Sequence, residues 1–225
     1  MTASLSRRAG GRSARRSARS APLAEHLRPV RPGMPGGTYA PLTMENEQRI
    51  HHAVLDALEQ IGLADAPQSG IDYLTRAGAL LGDDGRIRFP RALIEDTIAS
   101  ANRSIKLFSR DGGHDLELSG TKVHYGTAGA AVHMVDVEGR NYRESSVQDL
   151  FDAARITDQL DNIHFLQRPM VCRDITDNRE MDLNTIYACC SGTTKHVGTS
   201  FTEPAFVADA LKMLHMIAGG EKAWR

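Results

Sequence analysis

From Ser145 to Trp224 the chain alternates between two hydrophobic periods. Helical spacing gives way to a short apolar run and then returns, in the order helix, strand, helix, strand, helix. That alternation builds a parallel sheet covered by helices. Two such strands do not close a barrel, and a parallel strand left at an edge exposes backbone donors and acceptors that the fold buries. The sequence is therefore expected to be the front part of a larger α/β protein, with further βα units after Arg225.

Within this stretch Ser145 and Gln148 suit a capping box for a helix running to about Leu160. A strand is expected over Ile163–Val171, a helix over Asp177–Cys190, a strand over His196–Phe201 and a helix over Pro204–Ala218 ended by Gly219.

The preceding region has a different character. Thr43 is a candidate N-cap, with Glu45 and Glu47 at the positive end of the helix dipole. Ile50, Val54, Leu58 and Ile61, with Leu55, form an apolar stripe that Gly62 closes. A second helix is expected over Ser69–Leu81 with Ile71, Leu74 and Leu81 inward. A third opens at Pro90 and runs to about Ser100. From Ile105 to Val137 the period shortens, and turn residues separate brief runs, which predicts an antiparallel meander. The small residues Thr127 to Ala131 read as a bridge within it. Three parts result: 1–40 a tail and linker, 41–144 N-terminal helices and meander, and 145–225 the first βα units.

Charge sets the tail apart. Residues 1–31 carry eight arginines and one glutamate, net +7, which leaves −8 on the remainder against −1 overall. The tail has too few large apolar residues to form a core and is read as a flexible extension. An organelle transit peptide shares this composition. Ser6-Arg7-Arg8 has no apolar segment after it, so it does not fit a twin-arginine export signal. Nucleic-acid binding through the tail is electrostatically possible, but aromatics are only 5% of the chain and no base-stacking platform supports it. No apolar run reaches the roughly 20 residues of a membrane span. The cysteines Cys172, Cys189 and Cys190 do not suggest a disulfide framework, which fits a reducing, cytoplasmic setting.

Colinear stretches carry a family resemblance: LTMENEQRIHHAVLDALEQIGL (42–63), GALLGDDGRIRFPRALIEDTIASA (78–101), IKLFSRDGGHDLELSG (105–120), VHYGTAGAAVHMVDVEGRNYRESSVQDL (123–150), NIHFLQRPMV (162–171) and TTKHVGTSF (193–201). From about Pro41 onward the chain resembles the trimethylamine methyltransferase family. The resemblance implies a (β/α)8 barrel of the TIM type with an N-terminal extension, cut after its first βα units. It also implies transfer of a methyl group from a tertiary or quaternary methylated amine, of trimethylamine or glycine-betaine type, to a corrinoid (cobalamin). The corrinoid is carried by a partner protein and not bound directly. A homo-oligomer is implied for the full-length family protein. The position that holds pyrrolysine in some members is expected beyond Arg225, so no catalytic residue is assigned.

Barrel sites gather at the C-terminal ends of strands. The first such end offers Gln167 and Arg168, the latter suited to a substrate carboxylate. The second offers Thr199 and Ser200 as hydrogen-bond donors. Each also has a plainer role, as an ion-paired arginine or as turn residues before Pro204. His124, His133 and Tyr125 suit a pocket or a half-buried sheet surface. His51 and His52, adjacent on a helix, point apart. Cys189 and Cys190 with His164 and His196 lack metal-ligand spacing, and no metal is expected. Gly126–Gly129 lacks the strand-to-helix context of a phosphate loop. Two other functions remain open: a non-catalytic interaction module built on the N-terminal part, and nucleic-acid binding through the tail.

Overall fold

The computed structural model describes residues 16–17, 21, 24–28 and 30–224. Most of the Arg-rich tail, and with it the twin-arginine position at Arg7-Arg8, lies outside the described residues. Two compact units are present. One consists of Pro35–Leu107 with Glu117–Val123, and the other of the described residues up to Met34 with Phe108–Leu116 and His124–Trp224.

The smaller unit begins at Pro35, the second residue of a short strand, β1 (Met34–Pro35). Helix α1 (Met44–Asp56) follows, with Thr43 as N-cap accepting from the Asn46 N–H at 3.2 Å. It runs into a π-helical turn over Ala57–Ile61. Only Leu55 of the expected stripe is buried; Ile50, Val54 and Ile61 are 53%, 50% and 57% exposed. Successive helical residues lie about 100° apart, so Val54 and Leu55 sit on different lines. The buried line is the one containing Leu55, and spacing alone does not choose between them.

Helix α2 (Gln68–Arg76) stops earlier than the Ser69–Leu81 expectation. Gly78 takes φ +107, a value no helix accommodates, and the chain leaves as β2 (Leu80–Leu81). Strand β2 pairs antiparallel with β3 (Ile87–Arg88), Leu81 opposite Ile87. Leu81 is half exposed rather than inward. Helix α3 (Arg91–Ser100) takes Pro90 as its N-cap. Ala79, Ile87 and Phe89 form the core, packed by Leu58, Ile71, Leu74, Leu93 and Ile94.

The predicted meander breaks into pairs. Strand β4 (Ser104–Leu107) pairs with β5 (Leu116–Ser119), and β1 with β6 (Lys122–Val123).

In the larger unit, β7 (His133–Val135) and β8 (Tyr142–Glu144) make an antiparallel hairpin. Helix α4 (Val147–Gln159) opens with a capping box, but its members are Ser146 and Asp149. Ser145 is taken elsewhere: its hydroxyl donates to the Val171 carbonyl at 2.7 Å. That leaves its neighbour to cap. Strand β9 (Phe165–Gln167), helix α5 (Asn178–Gly192), strand β10 (His196–Gly198) and helix α6 (Val207–Ala218) complete the alternation. Strands β9 and β10 are parallel, with Phe165, Leu166 and Gln167 opposite His196, Val197 and Gly198.

The parallel arrangement starts one segment earlier than the sequence suggests. Residues 126–131, expected inside the antiparallel meander, run parallel beside β9, with bridges Gly126–Phe165 and Ala131–Met170. Small residues permit the approach: a Cβ on Gly126 would lie 2.2 Å from the Phe165 ring. Leu150 and Ala154 of α4, Leu166 of β9, Met170, Cys172, and Ala188 and Cys189 of α5 form the core. The architecture is mixed α/β. The strands among the described residues make two-stranded sheets, and no closed barrel is present. No described helix is long and apolar enough to cross a membrane.

Candidate substrate-binding site

Parallel pairing of β9 with β10 brings the two predicted strand ends side by side. Gln167 ends β9 opposite Gly198, and the Arg168 N–H donates to the Gly198 carbonyl at 2.9 Å. Thr199 and Ser200 follow directly. All four expected residues therefore stand at one end of one sheet. The side chain of Gln167 lies across Gly198, where a Cβ would meet its Oε1 at 2.1 Å. Thr127 adds a third segment to this end, donating its hydroxyl to the Gln167 carbonyl.

The side chains differ in their availability. Gln167 and Ser200 are exposed, and Arg168 and Thr199 half-buried. Thr199 Oγ1 is itself buried and makes no hydrogen bond among the described residues. Near Arg168 lie the Cys172 and Cys189 thiols, which feel its charge. Burial pushes Cys189 up to about 12 and Cys172 in the same direction, so both are protonated apolar core groups at neutral pH. A positive group at a parallel strand end, next to hydroxyl and amide donors, is suited to a small anion such as a carboxylate.

Two polar anchors that the sequence reading missed hold this sheet in place. Asp182, 2% exposed on α5, accepts from the Thr202 N–H at 2.7 Å and its hydroxyl at 2.9 Å, pinning the loop that carries Thr199 and Ser200. Its signal was its position four and seven residues before Ile186 and Cys189, on the inward helix face. Lys195, 4% exposed, donates from Nζ to the carbonyls of Thr157, Leu160 and Ile163 at 2.7, 2.7 and 2.6 Å. It closes the C-terminus of α4 and fixes the approach to β9. Asp158 complements it by accepting from Thr193 Oγ1 and from Thr194 N–H and Oγ1.

The other candidates separate. His133 stacks on Tyr142 at 4.6 Å in the β7–β8 hairpin, whereas His124 meets the ring of His164 at 6.1 Å. His196 Nδ1 lies 2.8 Å from the Phe108 carbonyl oxygen. Among the described residues no group of three His, Cys, Asp or Glu could hold a metal ion. Gly126–Gly129 belongs to the segment beside β9. A depression at the hairpin tip, lined by Asp136, Val137, Glu138, Arg140 and Asn141, is remote in sequence from both strand ends.

A family model described as trimethylamine methyltransferase (MTTB) matches residues 8–224. The match takes in most of the Arg-rich tail, which the resemblance read from about Pro41 left out. Trimethylamine methyltransferase MttB of Desulfitobacterium hafniense (strain DSM 10664 / DCB-2) is 27% identical over 177 residues, 78% of this chain and 36% of the relative. Trimethylamine methyltransferase MttB1 of Methanosarcina mazei is 25% identical over 158 residues, covering 68% and 32%. Glycine betaine methyltransferase of Desulfitobacterium hafniense (strain Y51) is 21% identical over 184 residues, covering 81% and 38%. The chain thus spans about a third of the length of the curated relatives it matches.

Proposed function

The chain belongs to the trimethylamine methyltransferase family, and from that premise we propose that it forms part of an enzyme moving a methyl group from a methylated amine to a corrinoid carried by a partner protein. The observation that carries this reading is the family match over residues 8–224. The parallel strand ends at Gln167–Arg168 and Thr199–Ser200 supply its structural counterpart.

A fully methylated ammonium has no N–H to donate, so its recognition depends on aromatic faces, carboxylates and whatever else the substrate carries. The corrinoid supplies the nucleophile for methyl displacement. This chain's residues bind and orient. Arg168 is the group for a substrate carboxylate, and Gln167, Thr199 and Ser200 are donors around it. That arrangement favours a betaine-type substrate over trimethylamine, which has no anionic end.

The test is methyl transfer to cob(I)alamin, followed by methylcobalamin formation, with glycine betaine and trimethylamine as alternative donors. The 225-residue chain alone is expected to give nothing above the protein-free control. A family-length protein completed with the remaining two-thirds is expected to use glycine betaine. In that protein Arg168→Ala raises the KM for betaine about tenfold or more, the loss of a charge-assisted pair. Absence of transfer from either donor in the completed protein overturns the reading.

A further inference from the structure

We propose that His164 is a pH-sensitive latch, tightening the hold of β9 on the extended segment from His124 to Thr127 while its imidazole is neutral. This inference is independent of the methyl-transfer reading.

Besides the Thr127 N–H, which donates to the Phe165 carbonyl at 3.4 Å, two hydrogen bonds at His164 join the segment to the start of β9. The His164 N–H donates to the Tyr125 carbonyl at 2.7 Å, and the Tyr125 N–H donates to His164 Nδ1 at 2.9 Å. The second bond fixes the tautomer. Nδ1 must present a lone pair, so the ring proton resides on Nε2. Nε2 is buried without a hydrogen-bond partner among the described residues, and His164 as a whole is 4% exposed.

Protonation would place a second N–H on Nδ1, facing the Tyr125 N–H. One bond becomes a clash of donors, at the point where the segment is registered on its neighbour. Among the described residues no carboxylate acts on the His164 ring to balance that charge. The 124–131 segment presents the His124 ring edge-on at 6.1 Å and the Tyr125 ring at 5.9 Å. From the approach to β10 comes the Lys195 ammonium. The His124 ring and the Lys195 ammonium act on His164, and both disfavour a positive imidazole. The carboxylates of Asp158 and Asp161 act on Lys195.

Burial, then His124 and Lys195, lower the His164 pKa from 6.5. The direction of the linkage follows. Between the depressed folded value and 6.5 the opened chain binds a proton that the closed one does not, so closure weakens as pH falls. Above 6.5 neither state is protonated and the latch is at full strength. Opening would free the segment whose Thr127 hydroxyl reaches the Gln167 carbonyl, so the effect is transmitted to the other end of the sheet.

The experiment is amide hydrogen exchange by NMR on the whole chain between about pH 7.5 and about pH 5, corrected for intrinsic rates, together with direct titration of the His164 ring. Protection of the Tyr125 amide is expected to drop about tenfold or more across that range, in step with ring protonation. His164→Asn keeps an acceptor near Nδ1 that does not titrate, and its Tyr125 protection is expected to be flat. If that variant does not fold, the wild-type ring titration decides the matter. A His164 midpoint at or above 6.5, or Tyr125 protection unchanged as the ring protonates, overturns the proposal.

Discussion

The core around β9 and the core around β3 are built from different materials. Around β9, seven buried apolar residues share their interior with Ser145, Thr157, Asp182, Thr185, Thr193 and Lys195, each 4% exposed or less. These polar groups have assigned partners, such as the three carbonyls under Lys195 and the Thr202 groups under Asp182. Around β3 the buried set is Ala79, Ile87 and Phe89. The polar links there lie at the rim, as in Asp84 with Arg88 and Arg91 with Asp56 and Glu59. A buried polar group tolerates one register, since a slip strands it without a partner. An exposed ion pair adapts at little cost. The larger unit is therefore specified by its interior polar groups, and the smaller by apolar contact and turn geometry.

The sharpest way to test that difference is to remove a central side chain. Leu166→Ala, at a position with 0% exposure between α4 and α5, should cost about 4 kcal/mol by denaturant unfolding. Lys195→Met comes next. It keeps the volume but removes the ammonium donor from the carbonyls of Thr157, Leu160 and Ile163, the first two of which keep the Leu160 and Ile163 N–H groups, for a loss of about 2 kcal/mol. Loss near zero would mean that water replaces the ammonium and that the buried polar groups do not specify the unit.

Asp149→Asn should have a smaller effect, about 1 kcal/mol at neutral pH, because the amide retains an acceptor for the capping box but loses the charge that pairs with Arg143. The Arg143 guanidinium holds the Asp149 carboxyl well below its ordinary 3.8. A depressed carboxylate stabilises the fold fully above its unfolded value, and that contribution fades as pH falls below 3.8. Acid unfolding of the variant should therefore be shallower than wild type below that point.

The smallest effect belongs to the smaller unit's surface. Ile50→Ser and Val54→Ser, at half-exposed positions of α1, should each change stability by less than about 0.5 kcal/mol. A loss as large as that of Leu166→Ala would show this face to be packed and the contrast between the units to be wrong.

What the sequence revealed follows the same division. Local chemistry was legible. Thr43 caps the helix expected after it, because an N-cap involves residues only three apart, and Asp177, expected as the first helical residue, is the cap of its helix. The order of α4, β9, α5, β10 and α6 was legible too, since period separates helix from strand. Four features were not. The cap of α4, expected at Ser145 with Gln148, falls one residue later at Ser146 with Asp149, because Val171 claims Ser145. The end of α2 at Gly78 was hidden by apolar residues that continue the helical spacing into β2. The segment 126–131 has almost no side chains, hence no period, and only its bridges to β9 place it. Lys195 and Asp182 carry no sequence signal of their anchoring role, because their partners are backbone groups or distant loops. The placement of Gln167, Arg168, Thr199 and Ser200 at neighbouring strand ends was legible from the order of elements, while the anchors beneath them were not.

The measurement closest to the central claim is chemical-shift mapping of the isotope-labelled chain titrated with glycine betaine, with trimethylamine as control. Betaine-specific shifts are expected at Gln167, Arg168, Thr199 and Ser200, lost in Arg168→Ala, with the smaller unit unmoved. Shifts centred on α1–α3 or the β7–β8 hairpin, or identical responses to both ligands at Arg168, would contradict that claim.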